Sequence, residues 1–388
     1  MLNTMNIVNK PITDDDTLNK FYNQCIKEKT LAIDTEFIRE STYYPSLCLI
    51  QIAGADFSGA IDPLSGVNLK PIWDLLINKN ILKVFHAARQ DIEIFLNLTG
   101  KIPYPIYDTQ IAAMFCGLGD QIGYERLVGR FLNLPVNKEL QFTNWLQRPL
   151  SKQQIDYAIS DVTHLIKIYP LINKLIEDSN RINWVEKEMK YLSDKSLYHV
   201  EPNDVWKRIK LKKCKPQTLN TLKYLAMWRE NECRERNIPR NKLIRDDALI
   251  NIAYASSKTI DELKKIRGIP KNLSYKDFDQ IVNVIQEANK IDKVEWPLVS
   301  HKYNKSNVSK SSIDLLKLLL KFCSEESGLA EKLIADTDDL RLVIEGKRED
   351  LKLFTGWRND VFGKNVLSLL DGQIGFTINK GEIKKLSL

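Results

Sequence analysis

The chain has 388 residues, of which 43% are hydrophobic and 28% charged, and a formal net charge of +7. That length predicts two or three domains with real cores, and no stretch approaches the ~20 apolar residues of a membrane span, which excludes a helical membrane protein. The opening MLNTMNIVNKPITDDD lacks the basic head and apolar centre of a secretory signal, and the six cysteines show no CxxC pair, so a cytoplasmic protein with reduced thiols and no zinc site or disulfide framework is expected.

In chain order, TLAIDTEF, SLCLIQIAG and FSGAIDP are short apolar bursts bounded by turn residues, and predict three successive antiparallel strands. The period then changes. LKPIWDLLIN predicts a helix, ILKVFHA a buried strand, and DIEIFLNLTG a helix ending at Gly100; YERLVGRFLNL follows as a further helix. Ser151 with Gln154 three residues on is a capping-box pattern that opens a long helix, SKQQIDYAISDVTHLIKIYPLI. This order predicts an α/β domain, a mixed sheet with helices on both faces, over residues 1–203. Beyond it the strand signals vanish, and two all-α bundles are expected at 204–295 and 296–388. The polar, Ser/Asn-rich segment 296–312 links them.

Asp34 and Glu36 close an apolar strand, where period-2 geometry sets them on one face. Two carboxylates so placed repel unless cations neutralise them, which points to hard metal ions; a solvated strand end fits equally well for the pair alone. Asp91 falls in the first turn of a helix, where the dipole favours an acid in any case. Tyr157 and Asp161 share a helical face at i, i+4, as surface pairs also do. Together, oxygen ligands on one strand and two helices are the material of a site for two divalent cations, Mg²⁺ or Mn²⁺ rather than zinc. Tyr157 would orient the attacking water, since its ordinary pKa near ~10 makes a poor base.

DTEF at 34–37, HAARQD at 86–91 and YAISD at 157–161 resemble the three motifs of the DEDD exonuclease superfamily in its tyrosine-bearing branch. LIQIAG, YDTQIAA and the helical text after them are similar to bacterial ribonuclease D over essentially the whole chain. The resemblance implies a ribonuclease H-like exonuclease domain followed by two helical domains of the helicase-and-ribonuclease-D C-terminal (HRDC) type. It also implies 3′-to-5′ hydrolysis of RNA, releasing nucleoside 5′-monophosphates, with tRNA precursors and other structured RNAs bearing 3′ extensions as substrates. Carried over to this chain, Asp34, Glu36, Asp91 and Asp161 hold the metals and Tyr157 joins them in catalysis. Thr35, Phe37, His86 and Asp108 meet the terminal nucleotide, although Asp108 also reads as a helix cap for TQIAAMF and His86 as a satisfied strand-end histidine.

Holding a folded RNA calls for sequence-tolerant phosphate contacts. VWKRIKLKKCKP, residues 205–216, carries six Lys or Arg and no acid. Lys207, Arg208, Lys210, Lys212 and Lys213 are the candidates there, and Arg229, Arg234, Arg236, Arg240 and Lys242 follow in the helical part. A basic run is also an ordinary solvated face, and Trp206 and Trp228 between these cations also fit a helical core. KKIRGIP, at 264–270, is similar to the loop by which related domains approach nucleic acid. A monomer is expected. The competing functions are a proofreading-type DNA 3′-5′ exonuclease and a non-catalytic RNA-binding protein on the same fold.

Overall fold

The computed structural model describes residues 6–7, 10–136, 139–211, 214–297 and 309–388. Lys212, Lys213 and most of the 296–312 linker lie outside them.

The three apolar bursts are strands β2 (Thr30–Ile38), β3 (Ser46–Ala53) and β4 (Phe57–Ile61), an antiparallel meander as expected. A short β1 (Asn6–Ile7) runs parallel to β4. On the other side of β2, β5 (Leu82–Phe85) and β6 (Ile106–Asp108) add in parallel, giving the order β1-β4-β3-β2-β5-β6. Consecutive residues Leu31, Ala32 and Ile33 are all fully buried. Since neighbours on a strand point to opposite faces, both faces of the sheet are covered. The covering helices are α1 (Asp15–Cys25), α2 (Lys70–Leu76), α3 (Arg89–Thr99), α4 (Thr109–Phe115), α5 (Tyr124–Leu132), α6 (Lys152–Asp178) and α7 (Ile182–Tyr191).

Two start and stop signals position the site. α3 ends at Gly100 in the left-handed conformation, φ +70°, which glycine adopts without a Cβ penalty. α6 opens with both halves of the capping box, Gln154 N donating to Ser151 Oγ at 3.2 Å and Ser151 N to Gln154 Oε1 at 3.0 Å. From there Ile155, Ala158 and Ile159 recur at helical spacing and pack with Cys48, Leu49 and Ala60 of β3 and β4. Tyr157 and Asp161 are thereby carried to the strand that bears Asp34 and Glu36.

The second part comprises α8 (Pro216–Glu235), α9 (Arg240–Leu243), α10 (Asp246–Ala255), α11 (Ile260–Lys264) and α12 (Tyr275–Lys290) around its own core of Leu222, Leu225, Leu249, Ile252, Ile281 and Ile285. Trp228 is buried there with its indole N–H on Gln280, and Trp206 packs against the same cluster, so both are core residues.

The last part departs from expectation twice. Its helices, α13 (Lys310–Ser327), α14 (Glu331–Ile334), α15 (Thr337–Ile344), α16 (Gly356–Arg358) and α17 (Lys364–Leu370), are followed by an antiparallel hairpin, β7 (Ile374–Asn379) and β8 (Glu382–Ser387), so it is not all-α. The alternation Ile374, Phe376, Ile378 and the turn at Lys380-Gly381 were the strand signal, and no helical period competes with it. Nor is its core separate. Leu316, Leu319, Leu340 and Trp357 belong to the cluster that includes the sheet residues Ile33 and Val84.

Candidate active site

Asp34, Glu36 and Asp161 offer carboxylate oxygens that all lie within 4.8 Å of one another. The strand supplies the first two from one face, and α6 lays the third against them. β2 shifts register against β3 between Glu36 and Phe37, the kind of irregularity that re-aims side chains at a sheet edge. Asp91 arrives from the first turn of α3 and stands outside that tight trio, with the Thr35 hydroxyl donating to its Oδ1. Burial acts on all four acids, and neighbouring charges add to it at Asp34, Glu36 and Asp91. Burial, then the Asp161 charge, raises Asp34 well above the carboxylate range; burial, then Asp34, does the same to Asp91. Glu36 is pushed up to about 10 by burial and by the charges of Asp34, Asp161 and Asp91. Asp161 is raised to about 7 by burial, with the Tyr157 hydroxyl pulling the other way.

These carboxylates line a cleft of about 540 Å³ together with Thr35, Phe37, His86, Tyr124, Phe142 and Tyr157. Among the described residues no Lys or Arg lines it. Asp161 Oδ1 is buried without a hydrogen-bond partner. A crowd of acids with an orphaned oxygen and no cation is unfavourable as it stands and fits hard divalent ions.

The expected nucleotide contacts divide. Phe37 and Thr35 line the cleft, though the Thr35 hydroxyl is committed to Asp91. His86 lines it too. Its Nδ1 stands 3.0 Å from Thr109 Oγ1, and that hydroxyl spends its one proton on Phe85 O at 3.0 Å. That hydroxyl can then accept from Nδ1, and the Ile122 backbone also bonds the ring. Burial lowers the ring's pKa, so it is neutral at pH 7.

Asp108 is different. Its carboxylate accepts from Gln110 N and Ile111 N at the start of α4, and from Ala87 N at 3.1 Å and Ala88 N at 2.9 Å in the turn before α3. Ala87 has φ +59°, and the clamp fixes this unusual turn. Asp108 does not line the cleft; it is a cap, and through the clamp it positions Asp91.

Two cleft residues escaped the sequence reading. The Tyr124 hydroxyl donates to the Asp161 backbone carbonyl, and its ring meets His86 edge-on at 5.4 Å. Phe142 is 90% exposed at the mouth; a solvent-facing Phe in QFTNW was the one available signal.

Comparison with known proteins agrees with this geometry. Residues 9–177 match a 3′-5′ exonuclease family and residues 218–285 match the HRDC domain. The chain is 43% identical to ribonuclease D of Zymomonas mobilis over 378 residues, covering 96% of each chain. It is 41% identical to that of Sphingobium indicum over 379 residues, 96% of this chain and 97% of the other.

The chain belongs to the ribonuclease D family.

Among solved structures it superposes on Escherichia coli RNase D, described as an exoribonuclease involved in structured RNA processing, with a TM-score of 0.81 at 27% identity, covering 95% of this chain and 99% of that one. Like its relatives the chain is a hydrolase, a 3′-to-5′ exoribonuclease. Exonucleases of this superfamily use divalent metals, and the acidic cluster is where they fit. Among the described residues no helix is long and apolar enough to cross a membrane.

The basic candidates are spread unevenly. Lys207 is exposed and paired with Asp204, while Arg208 and Lys210 are exposed. Arg229, Arg234, Arg236 and Arg240 are tied to Asp246, Glu230, Asp277 and Glu230 respectively. Arg234 and Arg240 also bracket Tyr43 from the β2–β3 loop, and Tyr43 donates to Glu230. These arginines therefore join the exonuclease and helical parts.

Proposed function

We propose that this exoribonuclease trims 3′ extensions of structured RNAs such as tRNA precursors, using two divalent ions, Mg²⁺ or Mn²⁺, held by Asp34, Glu36, Asp91 and Asp161. The observation that carries the reading is the buried four-carboxylate cleft with its unpartnered Asp161 oxygen. Bound ions of this kind supply Lewis acidity toward a phosphoryl oxygen and acidify water.

The side chains do the rest. The Phe37 ring stacks on the terminal base, with Phe142 at the mouth as a second platform. The His86 ring forms the cleft wall beside them. Burial and the neighbouring carboxylates hold the Tyr157 phenol above its ordinary value, so at neutral pH it keeps its proton and orients the attacking water without serving as the base. Water adds to the terminal phosphorus, the bond to the preceding O3′ breaks, and that oxygen takes up a proton. A nucleoside 5′-monophosphate leaves, and the shortened RNA keeps a 3′-hydroxyl.

We take residues 1–203 as the exonuclease domain and 204–295 as the HRDC domain. Residues 296–388 are read as a linker and a second HRDC-like bundle extended by the β7–β8 hairpin. The exposed Lys207, Arg208 and Lys210 support an RNA contact at the junction of the first two, in a monomeric cytoplasmic enzyme. Matched RNA and DNA oligonucleotides with Mg²⁺, Mn²⁺ or EDTA test the reading: RNA shortens from its 3′ end with metal and is intact in EDTA. Cleavage that persists in EDTA, or a preference for DNA, overturns it.

A further inference from the structure

A second cleft, of about 440 Å³, opens between the β2–β3 loop and the helical domain, lined by Arg39, Tyr43, Arg229, Arg240, Arg245 and Asp246 among others. Arg39 directly follows the strand that carries Asp34 and Glu36, roughly 10 Å beyond Glu36 at ~3.3 Å per residue. Three of the four guanidiniums are fixed by carboxylates, two of them from outside the lining. Arg39 forks onto Glu93 at 3.0 and 2.9 Å, Arg229 holds Asp246 at 2.7 Å, and Arg240 holds Glu230. These pairs restrain the forks without using up their donors, since each guanidinium has five N–H groups.

Two observations show donors left over. Arg229 is 4% exposed and its Nε is buried with no acceptor. Arg245 is exposed and, among the described residues, has no carboxylate partner. It is also the N-cap residue of α10 and provides no side-chain cap, while Asp246 and Asp247 sit in the first turn of that helix. Asp246 is the one acid in the lining, and Arg229 neutralises it. Rigid, planar donor forks with one uncompensated charge suit a phosphate.

We infer that this cleft is a subsite for a backbone phosphodiester of the RNA whose 3′ end occupies the acidic cleft. The inference rests on the exoribonuclease reading. It makes the β2–β3 loop and the HRDC domain a joint phosphate grip, reached only by RNAs longer than the nucleotides held at the acids.

The test compares kcat/KM on a single-stranded RNA of many nucleotides with kcat/KM on a dinucleotide, for the parent enzyme and for Arg245→Ala, Arg245→Glu and Arg245→Lys. The ratio of long to short falls roughly ten-fold in Arg245→Ala, the loss of one charge-assisted hydrogen bond, and further in Arg245→Glu. Arg245→Lys recovers most of it. The slope of log KM against log salt on the long RNA falls by about 0.7 in Arg245→Ala, one phosphate's share on a single strand, a readout that mere structural damage would not move. An active parent whose ratio and salt slope match those of Arg245→Ala and Arg245→Glu overturns the subsite alone. A parent inactive on both substrates with every metal overturns the exoribonuclease reading together with it.

Discussion

Asp161 sets the protonation behaviour of the metal-free enzyme. Its carboxyl is raised to about 7 and that of Glu36 to about 10, both chiefly by burial. A carboxyl whose folded pKa stands above its unfolded value of ~4 stabilises the fold while it stays protonated. The metal-free protein therefore loses stability as pH rises from ~4 through about 7 and on toward about 10. Metal binds the deprotonated set, so the stabilisation from added Mg²⁺ grows over the same interval. Thermal melts in EDTA and in Mg²⁺ across this range check both slopes; a metal-free Tm that climbs with pH contradicts the argument. Asp34→Asn removes one of the repelling charges. It should abolish hydrolysis yet raise the metal-free Tm, by roughly 2–4 °C for each 1 kcal/mol gained, and a variant less stable than its parent in EDTA would count against the electrostatic picture. Asp108 acts on the same chemistry at one remove. Asp108→Ala strips four backbone amides of their acceptor, costing ~1–3 kcal/mol for the buried donors left unpaired, and lets Asp91 shift. Activity should fall with kcat more than KM, and the metal concentration for half-maximal rate should rise; an unchanged metal requirement would show that Asp91 does not depend on the clamp. That Asp34, Glu36, Asp91, Tyr157 and Asp161 meet in one cleft was legible because acids at these spacings are conspicuous text. The Asp108 clamp and the Tyr124 bond were not, since each joins segments that meet only in the fold.

Among the elements, the β2–β3 loop links the two halves of the enzyme. It leaves the strand bearing Asp34 and Glu36, places Tyr43 beneath Arg240 and Arg234 at 5.0 and 5.8 Å, and ties Tyr44 N to Asn237 at 3.0 Å. Tyr43→Ala removes both ring contacts and a hydrogen bond to Glu230, at a cost of roughly 1–3 kcal/mol. Hydrogen exchange should then accelerate in residues 39–45 and at the end of α8, while Tyr43→Phe, which keeps the ring, gives a smaller change. Equal protection in all three proteins would mean that the loop does not depend on this contact. The strands on either side were readable from alternation and turn residues, and α6 from Ser151 and Gln154, because those signals are local. The destination of Tyr43 was not: an aromatic between two strands names no partner. The hairpin β7–β8 is a short alternation that follows a long run of helical text, so its own period is carried by few residues.

At the scale of the whole molecule, chain order and packing order differ. The first and third parts share one core, while the middle part has its own. Trp357 shows how the sharing works: it stacks on Trp184 of α7 at 5.4 Å and meets Phe115 of α4 edge-on at 5.3 Å. Around it Arg358 pairs with Glu188 at 2.6 Å, and Ala330 N donates to Met114 O at 3.2 Å. Amphipathic helices in the last part declare a buried face in the sequence but not what buries it; here they pack largely on one another, and Trp357 and Ala330 carry the contact onto α4 and α7 of the exonuclease domain. Trp357→Ala should cost about 3–5 kcal/mol, the usual loss for a buried aromatic, and the cost should fall on the exonuclease domain as much as on the C-terminal part. Leu249→Ala, in the separate core of α8–α12, should cost ~2–5 kcal/mol and loosen the helical domain alone. In denaturant, nuclease activity on a dinucleotide should be lost at lower concentration in Trp357→Ala and at the parent's concentration in Leu249→Ala. If Leu249→Ala shifts that midpoint as far as Trp357→Ala does, the enzyme unfolds as one unit and the division into two cores has no energetic meaning.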